Sequence, residues 1–114
     1  MAPSGSPPRS ELLKGTLDML ILKTLTVQSL HGYAIAQHIQ DLSDNVLTVE
    51  QGSLYPALQR LQKKGWVTSH WSESPTGRRA RYYTITAAGR KRLGQEISSF
   101  DRVLLAIHRV MDGA

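Results

Sequence analysis

Apolar residues at helical spacing predict two helices in the first third of the chain. The first begins at Glu11, and its apolar positions recur at intervals of three and four: Leu13, Leu17, Leu20, Ile21 and Leu25. Gly32 in the segment "HGY" is expected to end this helix. A second helix then carries Tyr33, Ile35, Ile39 and Leu42 and stops at Ser43-Asp44-Asn45. The short segment "VLTVEQ" that follows could be extended.

The segment "GSLYPALQRLQKKGWV" predicts a third helix with sharp limits. Proline is tolerated in the first turn of a helix, so Pro56 places the start near Gly52 or Ser53, with Ser53 as the N-cap. Gly65 supplies the C-terminal stop. One stripe of this helix faces the core: Leu54, Leu58 and Leu61. The opposite face is polar and holds Gly52, Pro56, Gln59 and Lys63, flanked by Ser53, Tyr55 and Arg60.

Two strands and a turn follow the third helix. Alternation predicts a strand from Trp66 to about Trp71 and another from Tyr82 to Ile85. Pro75 and Gly77 supply the turn chemistry between them. Trp66 is expected to plug the core and Trp71 to be an exposed edge residue. Three arginines stand at or just after the turn: Arg78, Arg79 and Arg81.

The last helix carries a heptad repeat. Thr86 is placed to cap it, and its apolar positions recur at intervals of 4, 3, 4, 3 and 4: Leu93, Ile97, Phe100, Leu104, Ile107 and Met111. The monomer has few elements left to cover so long a stripe, so a second subunit is a better cover than packing within the chain. We therefore predict a homodimer held by this helix.

This order of elements predicts a mainly α fold with a small β hairpin, a winged helix-turn-helix with a C-terminal dimerisation helix. The predicted organisation is a disordered tail over residues 1–9, a DNA-binding domain over 10–86 and the dimerisation helix over 87–114. The N-terminal segment "MAPSGSPPRS" has no apolar region of the kind that a signal peptide needs. The longest aliphatic run, Met19 to Leu22, is too short to span a bilayer. We expect a cytoplasmic protein without membrane contact.

The positive charge is concentrated in one third of the chain. Nine of the 14 basic residues lie between Arg60 and Arg92, together with one acidic residue, so this stretch carries +8 while the remainder carries −3. Such an asymmetry suggests a surface that faces a polyanion. The basic residues lie on a helix end and a hairpin rather than on an amphipathic helix with exposed aromatics, so nucleic acid is a better partner than a membrane.

In a winged helix-turn-helix that binds DNA, the third helix enters the major groove with its N-terminal half. Ser53, Tyr55 and Gln59 are suited to base edges, since an amide such as that of Gln59 can pair with adenine. Arg60, Lys63 and Lys64 lie further along and are predicted to bind phosphates. The wing adds Thr76 and Gly77 at its tip beside the three arginines, and arginine suits both phosphates and a narrow minor groove.

Other functions are less well supported. An ordinary solvated helix face or loop would explain either basic segment alone, but not both next to each other. The four histidines, His31, His38, His70 and His108, form no i, i+4 pair, and there is no cysteine, phosphate loop or nucleophile motif, so we predict neither an enzyme nor a metal or other cofactor. The remaining alternative is a winged helix that contacts protein or RNA.

Three segments carry a family resemblance: "HGYAIAQHI", "GSLYPALQRLQKKGWV" and "GRRARYYTITAAG". Together they resemble the PadR family of bacterial winged-helix transcriptional regulators over roughly residues 12–93, and the single short C-terminal helix resembles the smaller subfamily. The resemblance implies that Tyr33, Ser53, Tyr55 and the wing arginines lie on the DNA face. It also implies a dimer formed by the last and first helices, which would read a palindromic operator.

The resemblance further implies a repressor that small aromatic or drug-like ligands release, although some members have no known effector. Such a ligand would lie between the C-terminal helices of the two subunits. The six apolar heptad positions of the last helix, Leu93 to Met111, form the seam between the subunits. Phe100 is the only aromatic residue on this seam, so a pair of Phe100 rings could hold a planar compound. The alternative is that Phe100 simply fills the seam.

Overall fold

The apolar stripes of the first three helices meet in one core, which a three-stranded sheet and the start of the last helix complete. A computed structural model describes the backbone of residues 9–113 and the side chains of residues 15–113. The elements are α1 (Arg9–Thr24), β1 (Leu30–His31), α2 (Gly32–Leu42), α3 (Gln51–Lys63), β2 (Val67–Glu73), β3 (Arg79–Ile85) and α4 (Ala87–Asp112). This arrangement confirms the predicted mainly helical fold with a β hairpin.

The first helix begins at Arg9, two residues before the predicted start at Glu11. The disordered tail predicted for residues 1–9 lies outside the described residues except for Arg9 itself, which is part of α1. Ile21 and Leu25 are buried, and Leu17 and Leu20 pack against the core. The predicted apolar stripe therefore faces the core from Leu17 on, while the side chain of Leu13 lies outside the described residues. The helix ends at Thr24, well before Gly32.

Gly32 was expected to end a helix, but it is the first residue of α2. The residue before it, His31, is the N-cap, and its Nδ1 accepts a hydrogen bond from the Ala34 backbone N–H at 3.2 Å. A histidine in this role was not predicted, because the preferred N-cap residues are Ser, Thr, Asp and Asn. His31 also belongs to β1, a strand of two residues that pairs with β3 and that the sequence analysis missed.

The third helix, α3, starts earlier than Pro56 suggested. Its N-cap is Glu50, which makes no side-chain capping bond, so the predicted cap at Ser53 is wrong. Pro56 is the sixth residue of the helix, where it cannot donate to the Gly52 carbonyl; the helix tolerates the loss of that one bond. The segment "VLTVEQ" forms no strand, since residues 46–50 are irregular and Gln51 is helical. Gly65, with φ of 75°, ends the helix as predicted.

The wing is an antiparallel hairpin within a sheet of order β1-β3-β2. Its register pairs Val67 with Ile85 at the base and Glu73 with Arg79 at the tip. Both residues of the basal pair are buried, whereas both residues of the tip pair are exposed. Half of the hairpin is thus anchored in the core and half projects from it. Trp66 packs against the core and Trp71 is exposed, as predicted.

The last helix starts inside the body of the protein and leaves it. Thr86 caps it as predicted, with its Oγ1 accepting from the Gly89 N–H at 3.0 Å. Gly89 lies so close to the preceding turn that an added Cβ would be 2.1 Å from the Trp66 carbonyl oxygen. Leu93 is buried, but the later seam positions are exposed in the single chain: Ile97, Phe100, Leu104, Ile107 and Met111. In the part of the chain that is described, no helix combines the length and the hydropathy that a membrane span requires.

Candidate nucleic-acid interface

A broad groove lies between the helical pair α2–α3 and the wing. Seven of the twelve residues predicted to bind DNA line it: Tyr33, Tyr55, Gln59, Thr76, Arg78, Arg79 and Arg81. These residues come from three elements and the wing turn, and folding brings them to one concave surface. Their side chains provide phenols, an amide, a hydroxyl and three cations, which are the groups that bind base edges and phosphates.

The outer face of α3 presents its side chains because its inner face is fixed in the core. Leu54, Leu58 and Leu61 are all buried, so the helix cannot rotate about its axis. Tyr55 and Gln59 are one turn apart on the exposed side, and both reach the groove. The Tyr55 ring lies against the first residue of α2, where a Cβ added to Gly32 would come within 3.1 Å of it. This contact joins the two helices within the lining of the groove.

The tip of the wing is a tight three-residue loop. The Ser74 N–H donates to the Arg78 carbonyl at 2.7 Å, and the Gly77 N–H donates to the Ser74 carbonyl at 2.9 Å. Gly77 has φ of 83°, a conformation that hairpin loops of this length assign to glycine. The hydroxyls of Ser74 and Thr76 lie 3.0 Å apart and brace the turn. The loop therefore holds Arg78 and Arg79 at a defined position at the end of the hairpin.

Arg81 is connected to α3 by two hydrogen bonds. Its Nε donates to Ser69 Oγ at 2.9 Å, and Ser69 Oγ donates to Gln62 Oε1 at 3.2 Å. The chain of bonds crosses from β3 through β2 to α3. This bond uses only Nε of Arg81. Because the side chain is exposed, its two terminal nitrogens can still bind a phosphate. These hydrogen bonds connect the wing to α3.

Comparison with known proteins matches these features to one family. The model of the Transcriptional regulator PadR-like family matches residues 21–95, which include the helix-turn-helix, the wing and the start of α4. The chain belongs to the PadR-like family of transcriptional regulators. It is also similar to an uncharacterized protein X of Lysinibacillus sphaericus, with 30% identity over 105 residues that cover 92% of this chain and 96% of that protein.

Solved structures agree with the assignment to the PadR-like family. A transcriptional regulator from Clostridium thermocellum superimposes with a TM-score of 0.80 at 29% identity, covering 88% of this chain and 97% of that one. A PadR-like transcriptional regulator from Bacillus cereus gives a TM-score of 0.76 at 28% identity, covering 92% and 100%. Regulators of the PadR-like family are not enzymes; they bind DNA through a winged helix, typically as dimers.

The remaining predicted residues of this PadR-like regulator lie outside the groove. Ser53 and Lys63 are exposed on α3. Lys64 extends over the Trp66 ring, with Nζ 5.0 Å from its centroid. Arg60 differs from the others, because its Nη2 is 2.8 Å from Asp18 Oδ1 and the two partly buried side chains connect α3 to α1.

The groove also contains residues that the sequence analysis did not select. Gln37 and His38 of α2 and Trp71 of β2 line it. Gln37 and His38 follow Tyr33 by about one turn, so the helical period could have placed them on the same face. Trp71 was recognised as exposed, but its position beside the arginines depends on the strand register, which the sequence did not reveal.

The opposite face of the PadR-like wing carries a row of rings. Tyr82 of β3 makes an edge contact with His31 at 5.4 Å between centroids and stacks near His70 at 6.0 Å. These residues are direct neighbours across the three strands. The next residue, Tyr83, faces the core, where burial raises the pKa of its phenol; the charge of Arg81 opposes this rise and Tyr55 adds to it. Among the described residues, no group of three or more histidine or acidic side chains is arranged to hold a metal ion.

Proposed function

We propose that this PadR-like regulator is a dimeric repressor that binds a palindromic operator through α3 and the wing and that a small planar aromatic compound releases. The observation that carries the DNA-binding part is the groove, where residues far apart in the sequence supply both base-reading and phosphate-binding groups. A cytoplasmic location is part of this proposal. A winged helix that contacts protein or RNA has no comparable support from the groove.

The groove suggests a division of roles. Tyr33, Tyr55 and Gln59 line its helical side and would meet base edges and adjoining backbone in the major groove. Arg78, Arg79 and Arg81 of the wing would bind phosphates or enter the minor groove, and Thr76 would approach the DNA backbone at the tip. Gly77 does not line the groove; it shapes the turn that carries these residues. Ser53, Lys63 and Lys64 are exposed outside the groove, where they would contact flanking phosphates. The Arg60 charge is already bound to Asp18, so we assign it to holding α3 in place.

Mutation of each class of residue tests these roles. The double variant Arg78→Ala, Arg79→Ala should bind operator and random duplexes more weakly by similar factors. The slope of log K against log salt should fall by about 0.9 for each phosphate that the variant no longer binds. Gln59→Ala should cost about 1–3 kcal/mol at one base position and leave the slope unchanged. A wing variant that binds with wild-type affinity and slope would contradict the proposal. The operator itself can be selected from a random duplex library in an excess of nonspecific competitor.

The exposed seam of α4 supports the dimer. Five of its six apolar positions lack cover within the described chain, and a second α4 offers a matching stripe: Ile97, Phe100, Leu104, Ile107 and Met111. Two-fold symmetry would place two copies of α3 on half-sites about one helical turn, or a small multiple, apart. Insertion of about five base pairs between the half-sites would move them to opposite faces of the duplex. Full affinity for that template would show that the half-sites act independently.

Phe100 supports the effector site. It is 41% exposed on the seam, so in a symmetric dimer two phenyl rings would face each other across the interface. A ligand between them shifts DNA binding only if it favours the spacing of recognition helices that does not fit the operator. An inducing planar compound should weaken operator binding by wild type, and Phe100→Leu should abolish that response while ligand-free binding is retained. An unchanged response in Phe100→Leu would assign Phe100 to packing alone and place the pocket elsewhere.

A further inference from the structure

Trp71 is a large apolar residue in the outer half of the wing, which lies beyond the core. Successive side chains of a strand point to opposite faces, so Val67, Ser69 and Trp71 of β2 share the face that includes the buried core contact. Val67 is 1% exposed, Ser69 is partly buried and Trp71 is 57% exposed. Trp71 therefore continues the inward-facing row into the groove, where the single chain does not cover it.

Two cations lie beside this indole ring. The guanidinium carbon of Arg79 is 5.7 Å from the ring centroid, and that of Arg81 is 5.9 Å from it. Both distances are within the range of cation–π attraction. Arg81 is the direct cross-strand partner of Trp71, and Arg79 is one same-face position nearer the tip. The indole is thus bordered by two positive charges.

A partner that complements the surface around Trp71 must carry negative charges and apolar faces in close alternation. A nucleic-acid strand does this, because its phosphates alternate with sugar rings whose carbon-rich faces are apolar. Glu73 is the acidic neighbour on the same face of the hairpin, against the three wing arginines, so the net charge there is positive. Trp71 also lines the same groove as Tyr55 and Gln59.

We propose that Trp71 is a DNA-contacting residue that packs its indole against deoxyribose while Arg79 and Arg81 bind the neighbouring phosphates. This inference rests on the proposed function and adds to it an apolar contact that does not depend on salt. Because sugars and phosphates are the same in every sequence, the contact should form on random as well as operator DNA.

Fluorescence tests the contact directly, since the chain has two tryptophans. In Trp66→Phe, Trp71 is the only reporter, and its emission should change in intensity and wavelength when a random-sequence duplex is added at low salt. In the matched variant Trp71→Phe, Trp66 is the only reporter; it packs against the core beneath Lys64, so its emission should change less than that of Trp71. Anisotropy of a dye-labelled duplex measures binding in the same samples. Binding without a change at Trp71 would overturn this inference and leave the proposed function intact, whereas absence of binding would overturn both.

Affinity and its salt dependence provide a second test that does not need the Trp66 variant. Trp71→Ala should weaken binding at least about fivefold, the low end of aromatic contacts with nucleic acid, with an unchanged slope of log K against log salt. Arg79→Ala should instead lower that slope by about 0.9. Trp71→Phe should retain most of the affinity, because a ring remains. A loss of less than about twofold in Trp71→Ala, or a fall in slope equal to that of Arg79→Ala, would contradict a direct apolar contact.

Discussion

The two ends of α4 have the same apolar repeat but different surroundings. Near its start, Gly89 and Leu93 are packed against the turn after α3 and the core, and Leu93 is 6% exposed. Near its end, Met111 occupies the same seam at 76% exposure. The repeat therefore indicates that another apolar surface covers the stripe. The fold shows which part of the stripe the same chain covers. One half is completed within the chain, and we infer that the other half is completed by a second copy.

The largest effect is expected at the packed end of α4. Gly89→Ala places a methyl group 2.1 Å from a backbone oxygen that cannot rotate away, so the helix must separate from the sheet. We expect a loss of about 3 kcal/mol or more in the free energy of unfolding, measured by urea denaturation. Gly94→Ala on the same helix is the control, because an added Cβ there meets nothing within 4 Å. It should gain up to about 1 kcal/mol from helix propensity. Equal stability of Gly89→Ala and wild type would refute the close packing.

The next largest effect is expected at the exposed end. The double variant Ile97→Glu, Leu104→Glu would bury two charges in the seam and should dissociate the dimer, at a cost of several kcal/mol. Light scattering should show a monomer, or circular dichroism should show unfolding if the subunits are stable only together.

The control for this variant adds the same charge elsewhere on the helix. Gln95→Glu with Ser98→Glu changes exposed positions on the side away from the seam, at about 100° per residue. This variant should remain dimeric. A folded dimer in the Ile97, Leu104 variant would show that the seam is not the interface.

A moderate effect is expected from Arg60, whose ion pair with Asp18 connects α3 to α1 and which we propose holds α3 in place rather than binding DNA. Arg60→Ala and Asp18→Ala should each reduce stability, and a double-mutant cycle should give a coupling of about 1 kcal/mol, since both side chains are partly exposed. Arg60→Ala should leave the salt slope of DNA binding unchanged. Lys63→Ala, on the same helix, should lower that slope by about 0.9 if it binds a phosphate. A lowered slope in Arg60→Ala would return Arg60 to the DNA contacts.

The smallest effect is expected at alkaline pH. Burial raises the pKa of Tyr83 in the folded state above its ordinary value of 10.0. The folded protein then holds this proton more tightly than the unfolded chain does, so the contribution is complete below about pH 10 and is lost as pH rises through the folded pKa. Denaturation midpoints should therefore fall less steeply above pH 10 in Tyr83→Phe than in wild type. Tyr33→Phe, which removes an exposed phenol, is the control, and equal pH dependence of all three proteins would contradict the effect.

Local patterns predicted the core-facing side of α3 and the hairpin, because these depend on residues close together in the sequence. Leu54, Leu58 and Leu61 follow from helical spacing alone. The two-residue strand β1 could not be predicted in this way, since it exists only because Leu30 and His31 pair with residues of β3. The Arg60–Asp18 pair joins residues 42 positions apart and has no local signal.

Rules for individual residues gave mixed results at the ends of helices. Pro56 narrowed the start of α3, but the helix tolerated it in the second turn rather than the first. His31 caps α2 although histidine is an uncommon cap, since its ring is already held by the strand pairing and by Tyr82. In both cases tertiary contacts outweighed the local preference. Seven residues that line the groove were selected from the sequence one by one, whereas their assembly into one groove depends on the register of the wing.

The tight contact at Gly89 makes α4 a lever. The helix is 26 residues long, which is about 39 Å, and only its first turns are held by the body of the protein. A tilt of about 10° at this joint moves the far end by roughly 7 Å, equal to about two base-pair steps of DNA. In the dimer that we propose, such a tilt in each subunit would change the distance between the two copies of α3. The spacing of the half-sites that the dimer can bind then depends on the contact at Gly89, which has no room for even one methyl group.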